Sequence, residues 1–177
     1  VLRHITVCYD ICHFAVAYEN HKEVMTRLAE EGIRIGKIQI SSALKKDFEQ
    51  DNPSRTACRN AFAELDEPTY LHQVIARDNT DGLHQYPDLP QALQHLENPE
   101  ILEWRTHFHV PVFVQSYGLL DSTQQDILEV LKIWRNSPMT DHLEVETYTW
   151  EVLPKELQKE INSSIARELN WVIQQLS

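Results

Sequence analysis

The sequence predicts an α/β fold built on a parallel sheet. Three observations carry that prediction. Strand-like runs with period-two alternation are separated by capped helices with apolar stripes, in the order strand, helix, strand, helix, mixed segment, strand, helix, strand, helix. Several of the strands are apolar on one face only. Their other faces carry Asp10, Gln39, His107, His109, Glu144 and Glu146, and these gather toward the C-terminal ends of the strands. Parallel strands are ordinarily apolar on both faces. A barrel reconciles the two facts, because apolar faces then meet the helices and polar faces converge in the lumen near its C-terminal mouth. A mixed or antiparallel sheet with one solvated face is the alternative.

Each element has its own justification. Ile5 to Asp10 reads as the first strand, with Thr6, Cys8 and Asp10 on one face and Ile5, Val7 and Tyr9 on the other. It runs into Asp10-Ile11-Cys12-His13, a D-x-x-H spacing. Asp and His three residues apart across a loop converge on one metal ion or one sugar hydroxyl. The four-residue D-x-x-H pattern is common by chance, so the spacing alone is a weak signal. Asn20-His21-Lys22-Glu23 has the form of a capping box, Val24 and Leu28 share an apolar face, and Gly32 ends that helix. Ile33 to Ile40 is the second strand, with Lys37, Gln39 and Ser41 on one face. Pro53 and Ser54 open a helix carrying Ala57, Ala61 and Leu65.

Tyr70 to Arg77 reads as a strand outside the regular alternation, followed by the turn Asn79-Thr80-Asp81-Gly82. A short helix is predicted over Gln91–Leu96. Thr106 to Gln115 is the next strand, with His107 and His109 on one face and Phe108, Val110, Val112 and Val114 on the other. Asp121 and Ser122 cap a helix marked by Ile127, Leu128, Leu131 and Trp134. In the strand His142 to Trp150, the residues His142, Glu144, Glu146, Tyr148 and Trp150 share one side. Pro154 then opens a helix whose Leu157, Ile161, Ile165, Leu169, Val172 and Leu176 form an apolar stripe.

Composition narrows the functions. The 177 residues suffice for a single domain over 1–177 with a sizeable core, and 42% hydrophobic content argues against disorder. Sixteen Lys and Arg against 27 Asp and Glu give a net charge of −11, which repels a phosphate backbone and makes nucleic acid a poor partner. The three cysteines, Cys8, Cys12 and Cys58, include no C-x-x-C pair and fit a cytoplasmic location, and Cys8 and Cys12 read as packing residues. No apolar run reaches transmembrane length, so membrane insertion is not expected. The four glycines form no phosphate-cradling loop, and neither G-x-S-x-G nor H-E-x-x-H is present. Nicotinamide and nucleotide triphosphate chemistry therefore rank low. A chain starting at Val1 almost within a strand is expected to be a piece of a longer protein.

Taken together, the motifs resemble the xylose-isomerase-like TIM barrels. That superfamily ends its fifth strand in D-x-x-H, matched here by Asp10 and His13, and places a metal-binding Glu on its eighth, matched by Glu146. Its sixth strand usually presents a His, where this chain has Gln39. The wording Tyr9-Asp10-Ile11-Cys12-His13-Phe14, His107-Phe108-His109-Val110-Pro111 and Glu144-Val145-Glu146-Thr147-Tyr148-Thr149-Trp150 is similar to the EboE branch, the TIM-barrel component of bacterial metabolite-traffic gene clusters. The resemblance runs over nearly the whole chain and implies the C-terminal half of a (β/α)8 TIM barrel, strands five to eight. A full barrel needs about 250 residues, so the resemblance also implies a missing N-terminal half, or a second copy, as a partner.

The resemblance implies a metal-dependent sugar isomerase or epimerase, acting on or handling a small polyhydroxylated metabolite. The divalent metal (Mn, Zn, Co or Mg) would be held by Asp10, Glu146 and a His from the His107/His109 pair. Glu146 and His13 are the candidate catalytic residues, and Gln39, His72 and Trp150 the candidate substrate contacts. A non-catalytic metabolite-binding protein on the same scaffold is the alternative, and a scaffold with a merely solvated polar face is a third reading.

Overall fold

A computed structural model of the chain describes residues 4–48, 54–66, 70–146 and 160–177. Their elements are β1 (Val7–Asp10), α1 (Ile11–Val16), α2 (His21–Glu30), β2 (Ile35–Ile40), β3 (Ser42–Asp47), α3 (Arg55–Ala63), β4 (Val74–Asp78), β5 (Leu83–Tyr86), α4 (Leu89–Ala92), β6 (Ile101–Val110), β7 (Ser116–Tyr117), β8 (Leu120–Ser122), α5 (Gln124–Asn136), β9 (Leu143–Val145) and α6 (Ile161–Leu176). The chain is mixed α/β, as expected. No helix among the described residues is long and apolar enough to cross a membrane.

The parallel part is a three-stranded sheet in the order β1-β2-β9. Asp10 pairs with Gln39, and Gln39 in turn with Glu144, so the three polar residues form a row across the sheet. Tyr9, Ile38 and Ile40 leave the opposite face and pack with Met25, Ile127, Val130, Leu131 and Val172 from α2, α5 and α6. The division into an apolar face under helices and a polar face away from them follows directly from the alternation in the sequence. Asn20 caps α2 by accepting from the Glu23 amide at 3.0 Å, and Gly32 takes φ +68° just beyond its end. That left-handed position costs glycine nothing.

The remaining strands form a six-stranded antiparallel sheet in the order β5-β4-β6-β3-β8-β7. This corrects the expectation of about four parallel core strands. The strand bearing His107 and His109 runs antiparallel to both β3 and β4. Period-two alternation is common to parallel and antiparallel strands, so the sequence pattern does not encode direction. Direction comes from β3, which follows β2 after Ser41 alone and offers β6 its backbone edge. The predicted strand over 106–115 also shifts toward the N-terminus. It ends at Val110, because Pro111 has no N–H to give the ladder. Its apolar face, with Trp104, Phe108 and Val110, packs on Leu44, Phe62, Val74 and Leu96. Barrel closure is not a feature of the described residues.

The last helix departs from its expected facing. Ser164, Glu168 and Val172 are its buried residues, whereas Ile161, Ile165 and Leu169 are exposed. Glu168 is drawn inward because its Oε1 accepts the Val112 amide at 2.9 Å, which satisfies a buried donor. Pro154, Leu157, Tyr148 and Trp150 lie outside the described residues.

Candidate metal centre

Five segments meet at the C-terminal end of the parallel sheet. Asp10 closes β1 and is the N-cap of α1: its Oδ1 accepts from the Cys12 amide at 3.0 Å and from the Ser41 hydroxyl at 2.5 Å. The Cys12 amide also reaches Ser41 Oγ at 3.1 Å. The D-x-x-H stretch is thus the first turn of a helix rather than a loop. The cap fixes one carboxylate oxygen and leaves Oδ2 to face His13 Nε2 at 3.7 Å. Helical spacing brings the side chain of His13 onto the ring of His107, with centroids 4.3 Å apart.

β6 supplies the second half. His107 and His109 project from the same strand face, and their Nε2 atoms lie 3.1 Å apart. Ligand atoms of Cys12, His107 and His109 all fall within 4.8 Å of one another. β9 brings in Glu146, whose amide donates to the Ile40 carbonyl at 3.0 Å. Oε2 of Glu146 is buried and meets no hydrogen-bond partner among the described residues.

The electrostatics favour a cation here. Burial, reinforced by His13, lowers the pKa of His107 to about 4. Burial, reinforced by His107, lowers that of His109 to about 3. Both imidazoles are therefore neutral at pH 7 and keep a lone pair for a ligand. Burial raises the Glu146 carboxyl above its usual range, and the neighbouring Asp10 charge adds to the shift. Lys37 and His13 offset part of the repulsion between the two carboxylates, and a divalent ion beside the neutral imidazoles would offset the rest. The separation of the two Nε2 atoms is close to the edge of about 3.3 Å between cis ligands on one tetrahedral ion. The ligand atoms that converge among the described residues are those of Cys12, His107 and His109, while Asp10 and Glu146, with its buried Oε2, stand beside that group and outside it.

The other predicted contacts fall around this centre. Gln39 sits mid-row on the polar face, accepting from Cys8 Sγ at 3.1 Å, one step below Ser41. Lys37 and Glu144 form an ion pair at 2.5 Å on the same face. His72 is fully buried: its Nδ1 approaches the His107 carbonyl at 3.3 Å and its ring packs on Phe108 at 5.1 Å. It therefore supports β6 from behind instead of meeting a substrate. Trp150 lies outside the described residues. In the sequence Cys12 reads as a packing residue and Ser41 only as a member of the polar face. The signal for Cys12 was its position inside the D-x-x-H stretch, and for Ser41 its place on the polar face beyond Lys37 and Gln39.

A separate groove of about 1020 Å³ runs between α2 and the end of α5, lined by Met25, Ile33, Ile35, Ile133 and Met139 among others. It lies at the other end of the sheet from the centre and contains none of its residues. No family model, curated protein or solved structure matches this chain.

Proposed function

We propose that the chain is a divalent-metal-dependent protein of the xylose-isomerase-like kind, resembling the EboE branch, that isomerises or epimerises a small polyhydroxylated metabolite. The observation that carries the proposal is the meeting of Asp10, His13, His107, His109 and Glu146 at the C-terminal end of a parallel sheet with a polar face. In α/β folds this is the end at which ligands bind and chemistry is placed.

Asp10, Glu146 and the His107/His109 pair would hold the ion. A bound divalent cation supplies Lewis-acid polarisation of a substrate carbonyl or hydroxyl. The residues do the rest. Asp10 is held in place by Ser41 and the α1 amide, so its free oxygen is aimed before anything binds. Glu146, raised toward neutrality by burial, takes and returns a proton at the carbon beside the reacting carbonyl. His13 has a side chain that is 57% exposed, so it would reach a substrate hydroxyl while its ring lies tilted against that of His107. Gln39, Lys37 and Glu144 form the polar floor against which a polyol would lie.

The test is to measure metal content of the purified chain by mass spectrometry and to follow hydrogen exchange at the carbon next to the carbonyl of aldose and ketose substrates. Metal with exchange that Glu146→Gln abolishes supports the proposal. Metal with saturable sugar binding but no exchange points to the non-catalytic binding protein, a reading favoured by the Gln39 substitution. Absence of bound metal after Zn2+, Mn2+, Co2+ and Mg2+ titration overturns both the metal assignment and the reaction.

A further inference from the structure

We propose that Cys12 is a metal ligand, completing with His107 and His109 a thiolate–imidazole site for Zn2+. The inference rests on the reading above that the centre takes a divalent ion, and it names the ligand that selects which ion. An alternative role for Cys12 is packing: it is fully buried and touches Val16, Ala43 and Ile75. Packing explains burial of the thiol. It does not explain why the same thiol lies within 4.8 Å of two imidazole nitrogens that themselves face each other at 3.1 Å.

The local backbone accounts for the placement. The Asp10 cap and the Ser41 hydroxyl both grip the Cys12 amide, so the first turn of α1 cannot rotate freely. That turn sends His13 outward to the ring of His107 and Cys12 inward, toward the strand face that carries His107 and His109. Tetrahedral zinc places its sulfur and nitrogen ligands on edges of about 3.3–3.7 Å. The imidazole edge, at 3.1 Å, is close to that value, and the thiol lies within 4.8 Å of both rings' ligand atoms. One Cys and two His leave a fourth position, which a carboxylate of Asp10 or Glu146, or a substrate oxygen, would complete.

The ligand set has a consequence for metal choice. Carboxylates and waters suit Mg2+ and Mn2+, whereas thiolate favours Zn2+ and Co2+. Binding replaces the S–H bond of Cys12 with a sulfur–metal bond and releases the proton to solvent, so affinity rises with pH. No electron is transferred and no co-reactant is needed.

The experiment strips the chain with a chelator and titrates it with Zn2+, Co2+, Mn2+ and Mg2+. Wild-type, Cys12→Ser and Cys58→Ser chains are compared. Cys58 is the control, a buried cysteine remote from the centre in the core around Phe62 and Trp104. The expected result is one equivalent of Zn2+ that excess Mg2+ does not displace. The Co2+ form should show a thiolate-to-cobalt charge-transfer band in the near ultraviolet, kept in Cys58→Ser and lost in Cys12→Ser. Cys12→Ser should weaken Zn2+ binding by more than roughly 100-fold, the upper end of what loss of an outer-sphere partner costs. Co2+ binding without that band overturns the role of Cys12 and leaves the wider metal reading standing. The same holds for unchanged Zn2+ affinity in Cys12→Ser. Failure of every ion to bind overturns both. Should Cys12→Ser fail to fold, the wild-type Co2+ spectrum decides alone.

Discussion

His107 and His109, two residues apart on β6, point their Nε2 atoms at each other across 3.1 Å. In neutral imidazoles one nitrogen must carry the hydrogen and the other accept it. Protonating the accepting ring puts two N–H groups face to face, whereas protonating the donor at its Nδ1 leaves the bond in place. Burial disfavours a charge on either ring, so the pair is most stable when both are neutral.

This sets the pH dependence of the metal-free chain. Both imidazoles have folded pKa values depressed by burial, to about 4 for His107 and about 3 for His109. The unfolded chain protonates them near 6.5, so it binds more protons than the folded chain between pH 6.5 and 3. Their stabilising contribution is fully present above pH 6.5 and is lost as the pH falls through that window. Each proton contributes a slope of up to about 1.4 kcal/mol per pH unit. Calorimetric Tm of the chelated chain should fall steadily from pH 7 to pH 4. The double variant His107→Asn/His109→Asn should show a flatter profile, and identical slopes in the two would refute this account.

Ser41→Ala removes the hydroxyl that holds Asp10 Oδ1 and steadies the Cys12 amide. A hydrogen bond to a charged group is worth about 1.5–3 kcal/mol, so stability should drop by that order in urea unfolding. The more informative readout is metal affinity, expected to weaken 10–100-fold although Ser41 does not touch the metal. Full affinity in Ser41→Ala would show that Asp10 is oriented without it.

These residues mark what could be read from sequence. Alternation placed Asp10, Gln39, Glu144 and Glu146 on one face, and the register Asp10–Gln39–Glu144 shows that row intact. It also put His107 and His109 together. It does not encode strand direction, so β6 reads as part of a parallel sheet, whereas it runs antiparallel to β3 and β4. The hairpins β4–β5 and β7–β8 are short, and they join the sheet through β4–β6 and β3–β8 pairings, which, like β3–β6, connect stretches far apart in sequence. Cys12 was invisible for another reason. A buried thiol and a liganding thiol look alike until the fold shows which nitrogens lie beside it.

Glu168 tests the facing of α6. Its Oε1 accepts the buried Val112 amide at 2.9 Å. Glu168→Ala leaves that donor without this acceptor and should cost about 1–3 kcal/mol. Glu168→Gln keeps an acceptor oxygen and should cost less. Ile165→Ala, on the exposed side of the same helix, should change stability by no more than about 0.5 kcal/mol. A large loss at Ile165 with none at Glu168 would mean the helix docks by its apolar stripe after all.

Gly36 tests the β1–β2 pairing. A Cβ built at Gly36 would lie 2.1 Å from Thr6 Oγ1 and 2.7 Å from Thr6 Cβ. Gly36→Ala should therefore push the first strand off the second and cost about 1–3 kcal/mol, the usual penalty of overpacking. Thr6→Ala removes the hydroxyl and should recover part of the loss in the double variant. Two independent, additive losses would mean that the residues do not meet.

Glu146→Gln should act in opposite directions with and without metal. In the metal-free chain, burial and the Asp10 charge raise the Glu146 pKa. A carboxyl with a raised folded pKa binds more protons folded than unfolded, from about pH 4.5 up to its shifted value. Its effect on stability therefore worsens as the pH rises through that window, and the cost persists at neutral pH. Glutamine carries no charge and escapes the cost. The metal-free variant should gain roughly 1–3 °C in Tm at pH 7, the shift that up to about 1 kcal/mol produces in a chain of this size. With Zn2+ added the order should reverse. Wild type regains stability as its two carboxylates are neutralised, and the variant gains less because it has lost a negative partner. Glu144→Gln should show neither effect, because Glu144 lies exposed and paired with Lys37. If Glu146→Gln lowers Tm equally with and without metal, Glu146 is a structural residue and the centre lies elsewhere.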